Sequence, residues 1–422
     1  MSRRTGSGRR AGSCSVAIHK AASKRAGGSR CRQAKQAWRE FMTYSCTLVL
    51  FLAAVKESVQ SAPTAAAGGH AYTQGERQPG SIAMFALMKA ARLEALHLTR
   101  DPVTGLEAII AIHSTRLGPA LGGCRFLDYA DTESAVRDAM RLAQGMSYKA
   151  ALAGLELGGG KAVLIRPPHI GDRCALFQAF GRFIETLGGR YITAVDSGTS
   201  STDMDCIARQ TRHVTSTTDE GDPSPHTAEG VFAGIRATAR ARLGCEELEG
   251  LRIAVQGLGH VGYALSERLA AAGAELLVSD LEHSRVQRAV EHLGARPVAS
   301  DALLREPCDI LAPCGLGGIL NGESVGTLRC AAVAGAANNQ LAGPEVADLL
   351  QRRGILYAPD YVINAGGLIY VALRHRGESD QSIGAHLGGI RLRLSAIYAR
   401  SLAEGCSPAR IADEEAERLI YG

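Results

Sequence analysis

The chain has 422 residues, 46% of them hydrophobic and 21% charged. That composition excludes a disordered, collagen-like or multiply membrane-spanning protein, and at roughly 100–200 residues per domain the length allows two or three domains. The net charge of +5 is unevenly placed: residues 1–80 hold 13 Lys/Arg against 3 Asp/Glu, and residues 81–422 hold 34 against 39. The mildly acidic body lacks the basic footprint of a nucleic-acid binder.

Residues 1–39 carry 11 Lys/Arg and no acidic residue. Such a segment cannot bury enough apolar surface to offset its ordering entropy, so it reads as disordered. The apolar run from Cys46 to Val55 falls short of the ~20 residues a bilayer span needs, so no membrane partner is expected. Three readings stay open for residues 1–83: an upstream start read in error with Met84 beginning the protein, a dispensable tail, or a targeting segment. As a tether to RNA or a membrane surface, the basic arm has few interleaved aromatics. The 11 cysteines are odd in number and form no CxxC pair. That argues against a zinc site or a disulfide framework, predicts no metal, and favours a reducing, cytoplasmic location.

From Met84 the pattern is regular. Leu106–His113 reads as a buried strand, and Thr132–Gln144 as a helix with Ala135, Ala139, Leu142 and Ala143 on one face. Lys161–Ile165 is a strand, Ala175–Leu187 a helix and Tyr191–Val195 a strand. After a break at Gly221–Pro225 comes a long helix, Thr227–Leu243. The class is α/β. Residues 84–226 are expected to form a substrate-binding and oligomerisation domain, 227–370 a Rossmann domain, and 371–422 helices that pack back on the first domain.

Leu251–Gln256 is a strand running into Gly257-Leu-Gly-His-Val-Gly262, followed by a helix to Ala272 and a second strand, Glu275–Ser279, ending at Asp280. In that context GxGxxG with an acidic residue after the next strand is the dinucleotide-binding fingerprint. Gly257 permits the tight turn, Gly259 lets a pyrophosphate approach, and Gly262 lets helix and strand pack closely. The helix N-terminus offers free N–H groups to phosphate. Asp280 would accept the ribose hydroxyls and repel a 2′-phosphate, favouring NAD over NADP.

The stretches Gly118–Gly123, Gly145-Met-Ser-Tyr-Lys149 and Leu157-Gly-Gly-Gly-Lys161 place two lysines among glycines. The glycines are read as room for a small ligand against the backbone. A lysine in such a dry setting has its proton affinity lowered toward neutrality. Asp196 falls at the C-terminal end of a strand, where active sites of open α/β sheets lie.

With GPALGG at 118–123, GMSYK at 145–149, LGGGK at 157–161, YITAVD at 191–196, GDPSPHTAEGV at 221–231, VQGLGHVG at 255–262, APCGLGG at 312–318, NNQL at 338–341 and APDYVINAGG at 358–367, the chain resembles the glutamate/leucine/phenylalanine/valine dehydrogenases. Within them it is closest to the leucine enzymes. The resemblance implies reversible oxidative deamination of an amino acid in a symmetric homo-oligomer. Lys149 would hold the substrate carboxylate. Lys161 and Asp196, tuned toward neutrality, would move the protons. Gly122, Leu121, Ala194, Leu368 and Val371 would line the substrate pocket. Thr227, Asn339 (with Asn338 adjacent) and Cys314 would join the glycine loop around the cofactor. An apolar pocket argues against glutamate. Ala194 leans toward leucine and its branched relatives, Leu368 toward an aromatic substrate, and Val195 and Ser197 depart from the usual leucine-enzyme wording. Phenylalanine or valine as substrate, or a silent NAD-binding relative, are the alternatives. Pro223–Thr227 and Asn364–Gly367 are the candidate hinge points.

Overall fold

The computed structural model describes residues 84–422. The readings of residues 1–83 therefore lie outside the described residues. The described residues fall into two units, Met84–Ala90 and 91–422. The first contributes one described element, the helix α1 (Met84–Ala90).

The second unit begins with a five-stranded sheet built from β1 (Ala95–Asp101), β2 (Leu106–Ser114), β3 (Ala120–Leu127), β4 (Gly158–Ile165) and β5 (Tyr191–Val195), in the order β1-β2-β4-β3-β5. β1, β2 and β4 pair antiparallel, whereas β3 runs parallel to both β4 and β5. β2 is buried along nearly its whole length, which is why it reads as a continuous apolar run. Helices α2 (Thr132–Leu152), α3 (Arg173–Glu185) and α4 (Ser201–Ala208) accompany it.

Asp131 caps α2 by accepting the Ser134 N–H at 2.7 Å. The helix presents Ala135, Ala139, Ala143, Ser147 and Ala151 inward, small side chains that let it lie close to β2 and β4. It continues past Gln144, where the sequence pattern ends it, because that packing outweighs the ~1 kcal/mol cost of Gly145 inside a helix.

Helix α5 (Ser224–Leu243) leads to the second sheet. Its strands are β6 (Arg252–Gln256), β7 (Glu275–Ser279), β8 (Arg296–Pro297), β9 (Ile310–Pro313), β10 (Ala332–Val333) and β11 (Leu356–Tyr357). They are parallel throughout, in the order β11-β10-β9-β6-β7-β8. The order reverses at β6, placing a crevice beyond its C-terminal end. Helices α6 (His260–Ala271), α7 (His283–Leu293), α8 (Gly322–Thr327) and α9 (Glu345–Arg352) connect the strands. After the short α10 (Asp360–Ile363) and α11 (Gly366–His375), α12 (Asp380–Glu404) packs along α5 and α13 (Pro408–Tyr421) returns to α2. There the Tyr148 hydroxyl donates to Glu417 at 2.9 Å.

One expectation is corrected. Cys174 of α3 and Cys206 of α4 form a disulfide with their Cα atoms 5.5 Å apart. The two cysteines are 32 residues apart in sequence, and only the packing of α3 on α4 brings them within bridging range. No helix among the described residues is long and apolar enough to cross a membrane.

Candidate active site

The register of the first sheet brings the candidate site residues onto one face. Cys124 pairs with Ala162 across β3 and β4, and Gly123 with Ala194 across β3 and β5. Strand alternation then puts Leu121, Gly123 and Arg125 on one face, with Gly159 and Lys161 from β4 and Ala194 from β5. Asp196 continues that row just past β5. The opposite face carries Cys124, Phe126, Ala162, Leu164 and Tyr191 in the hydrophobic core.

The glycines have another role than leaving space for a ligand. A Cβ on Gly159 would stand 2.0 Å from the backbone nitrogen of Ser147 in α2, and one on Gly160 2.8 Å from the Tyr191 ring. One on Gly123 would stand 2.8 Å from the Asp196 Cβ. These positions are glycine so that strand, helix and the Asp196 side chain can close on each other.

Lys161 is buried at 6% exposure and forms an ion pair with Asp196. The same carboxylate oxygen, Oδ2, lies 3.4 Å from Nε of Arg125. Burial by itself would raise the Asp196 carboxyl, but Lys161 and Arg125 outweigh it and hold the group at about 2. This corrects the expectation of a carboxylate tuned toward neutrality: the two cations keep it ionised. Arg125 also donates through Nη1 to Asp138 at 2.8 Å, Asp138 accepts from Arg141 at 2.9 Å, and Arg141 donates to Asn339 at 3.0 Å. Arg125, Asp138 and Arg141 escaped the sequence reading. The available signal was an arginine inside an otherwise apolar strand, Ala120–Leu127.

Lys149, in the last turn of α2, donates to Oδ1 of Asn338 at 3.2 Å. The same oxygen accepts from Asn364 at 2.8 Å. Burial pushes the Lys149 ammonium down to about 8. Asp360 lies nearby, accepts the Gln340 N–H at 2.8 Å, and is raised by burial. Of the two adjacent asparagines, Asn338 faces the lysine. Asn339 adopts a left-handed φ of 51° and faces Arg141.

At the crevice of the second sheet, Gly257 has φ 91°, a conformation that favours glycine. A Cβ on Gly259 at the N-cap of α6 would meet nothing within 4 Å, whereas one on Gly262 would stand 2.0 Å from the Gly257 carbonyl oxygen. Asp280 accepts the Leu258 N–H at 2.6 Å and the Glu282 N–H at 2.8 Å. An open cradle at Gly259, a helix N-terminus and a carboxylate beside the turn fit a dinucleotide with its pyrophosphate at Gly259. Cys314 packs against Gly262, and burial pushes its thiol up to about 12, as suits a small hydrophobe rather than a nucleophile.

Thr227, in the first turn of α5, donates to the Pro223 carbonyl at 3.2 Å. Gly366 opens α11 so close to it that a Cβ there would stand 2.2 Å from the His226 carbonyl oxygen. Leu121 and Ala194 are buried on the Lys161 face, while half-buried Leu368 and buried Val371 come from α11. Gly122 points to the other face of β3, where its carbonyl accepts the Tyr191 hydroxyl at 2.6 Å.

Residues 94–213 match the family described as Glu/Leu/Phe/Val dehydrogenase, dimerisation domain, and residues 275–383 match Glutamate/Leucine/Phenylalanine/Valine dehydrogenase. The chain is 45% identical over 341 residues to a leucine dehydrogenase of Thermoactinomyces intermedius, covering 80% of this chain and 93% of that protein. It is 48% identical over 334 residues to a valine dehydrogenase of Streptomyces virginiae, covering 78% and 93%. Among solved structures, an L-tryptophan dehydrogenase from Nostoc punctiforme superposes with a TM-score of 0.72 at 38% identity, covering 80% and 98%.

Proposed function

This chain belongs to the Glu/Leu/Phe/Val dehydrogenase family, and from that premise we propose that it acts on branched-chain L-amino acids, L-leucine foremost with valine and isoleucine, using NAD. It is an amino-acid dehydrogenase, and its reaction is oxidative deamination to the 2-oxo acid and ammonia. The observation that carries the site assignment is the buried Lys161–Asp196 pair on one sheet face, with Lys149 meeting Asn338 from the other half of the cleft.

The roles are those that the family resemblance implies, and the chemistry of the residues suits them. Lys149 binds the substrate α-carboxylate, and Asn338 orients that lysine. Lys161 polarises the carbonyl developing at Cα and, once neutral, helps water add to the imine. Asp196 exchanges protons with the amino group and the attacking water. NAD held at Gly257, Gly259 and Gly262, with Asp280 at its ribose, supplies the hydride acceptor. Thr227 and Asn339 border the nicotinamide end, and Cys314 lines the cleft.

Selectivity rests on Leu121, Ala194, Leu368 and Val371, with Gly122 giving backbone. An unpaired γ-carboxylate among such apolar groups would cost several kcal/mol, which disfavours glutamate. Leu368 supports a second reading, an aromatic or broader substrate range. A symmetric homo-oligomer is supported by the match to a dimerisation domain and by edge strand β1, which is only half covered. A cytoplasmic location completes the proposal.

The test is NADH formation with purified protein on L-leucine, L-isoleucine, L-valine, L-phenylalanine and L-glutamate, repeated with NADP. Fast turnover of the branched set with NAD alone is expected. A rate on phenylalanine matching leucine would replace this reading with the second one. Lys161→Ala is expected to lose turnover while NADH still binds, and Lys149→Ala to act mainly through KM. Near-normal kcat in Lys161→Ala would sink the lysine assignment.

A further inference from the structure

Arg125 is a charged side chain only 17% exposed, issuing from a strand whose other residues are apolar or glycine. A guanidinium is held at such a place only if its partners repay its desolvation. On one side Nη1 meets Asp138 at 2.8 Å; on the other Nε stands 3.4 Å from Oδ2 of Asp196. That oxygen is the one Lys161 also occupies. Two cations therefore share one carboxylate oxygen, in a cleft where burial strengthens charge interactions.

We propose that Arg125 is a positioning residue for the deamination: by sharing Oδ2 of Asp196 with Lys161, it fixes the carboxylate in place and makes the Lys161–Asp196 pair release its proton more readily. The inference rests on the roles given above to Lys161 and Asp196. A positive charge beside the pair favours its deprotonated form. Without Arg125, Oδ2 of Asp196 would face Lys161 as its one cationic partner.

The other groups facing Asp196 do not replace this charge. On the opposite, core face of the sheet, the Cys124 thiol of β3 is pushed up to about 12 by burial and the Tyr191 phenol of β5 is raised by burial, so neither adds a charge near Asp196. Ser197 donates weakly to Oδ1 at 3.4 Å. Lys149, from α2, has its own partner in Asn338. Asp138 tempers Arg125 from outside, and Arg141 holds Asp138 in turn.

The experiment is the pH dependence of kcat and KM for the full-length enzyme with NAD and L-leucine, in wild type, Arg125→Gln, Arg125→Lys and Asp138→Asn. In Arg125→Gln the acid-side limb of kcat should move up by about one pH unit. The rate at neutral pH should fall about tenfold and recover at alkaline pH, with KM within about twofold because Lys149 and Asn338 are untouched. Arg125→Lys keeps the charge and should restore the limb. Asp138→Asn leaves Arg125 undivided and should move the limb down, a direction that a general folding defect does not produce. An unmoved limb in Arg125→Gln, or Arg125→Lys displaced as far as Arg125→Gln, would overturn the inference.

If Arg125→Gln fails to fold, judged by NADH binding, Asp138→Asn decides: a limb unmoved or raised overturns it. Asp196→Asn separates the levels. Wild-type turnover there would remove the site reading itself, whereas an inactive Asp196→Asn beside an unmoved Arg125→Gln limb would remove only the role of Arg125.

Discussion

Asp196 and Lys149 meet the same cleft with opposite results. Burial alone would raise a carboxyl and lower an ammonium. Asp196 has two cations at one oxygen and ends at about 2, while Lys149 is met by the neutral amide of Asn338 and ends at about 8. A carboxyl depressed in the folded state contributes stability above its unfolded value, here the ordinary 3.8, and that stability is lost as pH falls toward 2. The shift corresponds to about 2 kcal/mol. Urea unfolding at stepped pH should show wild type losing about that much more than Asp196→Asn between pH ~4 and ~2. Parallel curves would mean that the pairing does not hold in solution.

At the scale of elements, the glycine-rich strands β3 and β4 were hard to read because glycine disfavours strands locally and marks loops in most sequences. What makes them strands is what sits against them. Ser147 occupies the space above Gly159, and the Tyr191 ring the space above Gly160. Gly159→Ala would press its Cβ into the backbone of α2, which has no flexible end to yield, and α2 carries Lys149, Asp138 and Arg141. A loss of about 1–3 kcal/mol by thermal melting is expected, together with a fall in kcat. Gly145→Ala on the same helix faces open space and should instead stabilise by about 0.5–1 kcal/mol. Equal melting shifts in both would contradict the close packing of β4 on α2. The Leu106–Ser114 strand, by contrast, was legible because burial on both faces leaves a continuous apolar run.

At the scale of the whole second unit, the two sheets communicate through single side chains. Arg141 and Lys149, both on α2 beside the first sheet, reach the adjacent Asn339 and Asn338 of the second. The chain of contacts Asp196–Arg125–Asp138–Arg141–Asn339 thus ties the proposed proton-transfer group to the loop proposed for the nicotinamide. Arg141 is half exposed, so its bond to Asn339 is worth no more than about 1 kcal/mol. Arg141→Ala should raise KM for NAD about two- to fivefold and leave KM for the amino acid unchanged. Steady-state kinetics with each substrate varied in turn would check this, and a rise confined to the amino-acid KM would contradict it.

The sequence by itself determined the α/β class and the strand–glycine–helix turn, and it singled out Lys149, Lys161 and Asp196 as candidates, because local periodicity and residue type at a fixed spacing carry those signals. Tertiary structure alone decided that Cys174 meets Cys206, and that Gly123, Gly159 and Gly160 serve packing rather than ligand space. It also decided that the Asp196 carboxyl is held well below its ordinary range, because Arg125 and Lys161 converge on one oxygen. These depend on which residues face each other across strands and helices far apart in the chain, and one-dimensional spacing does not encode that.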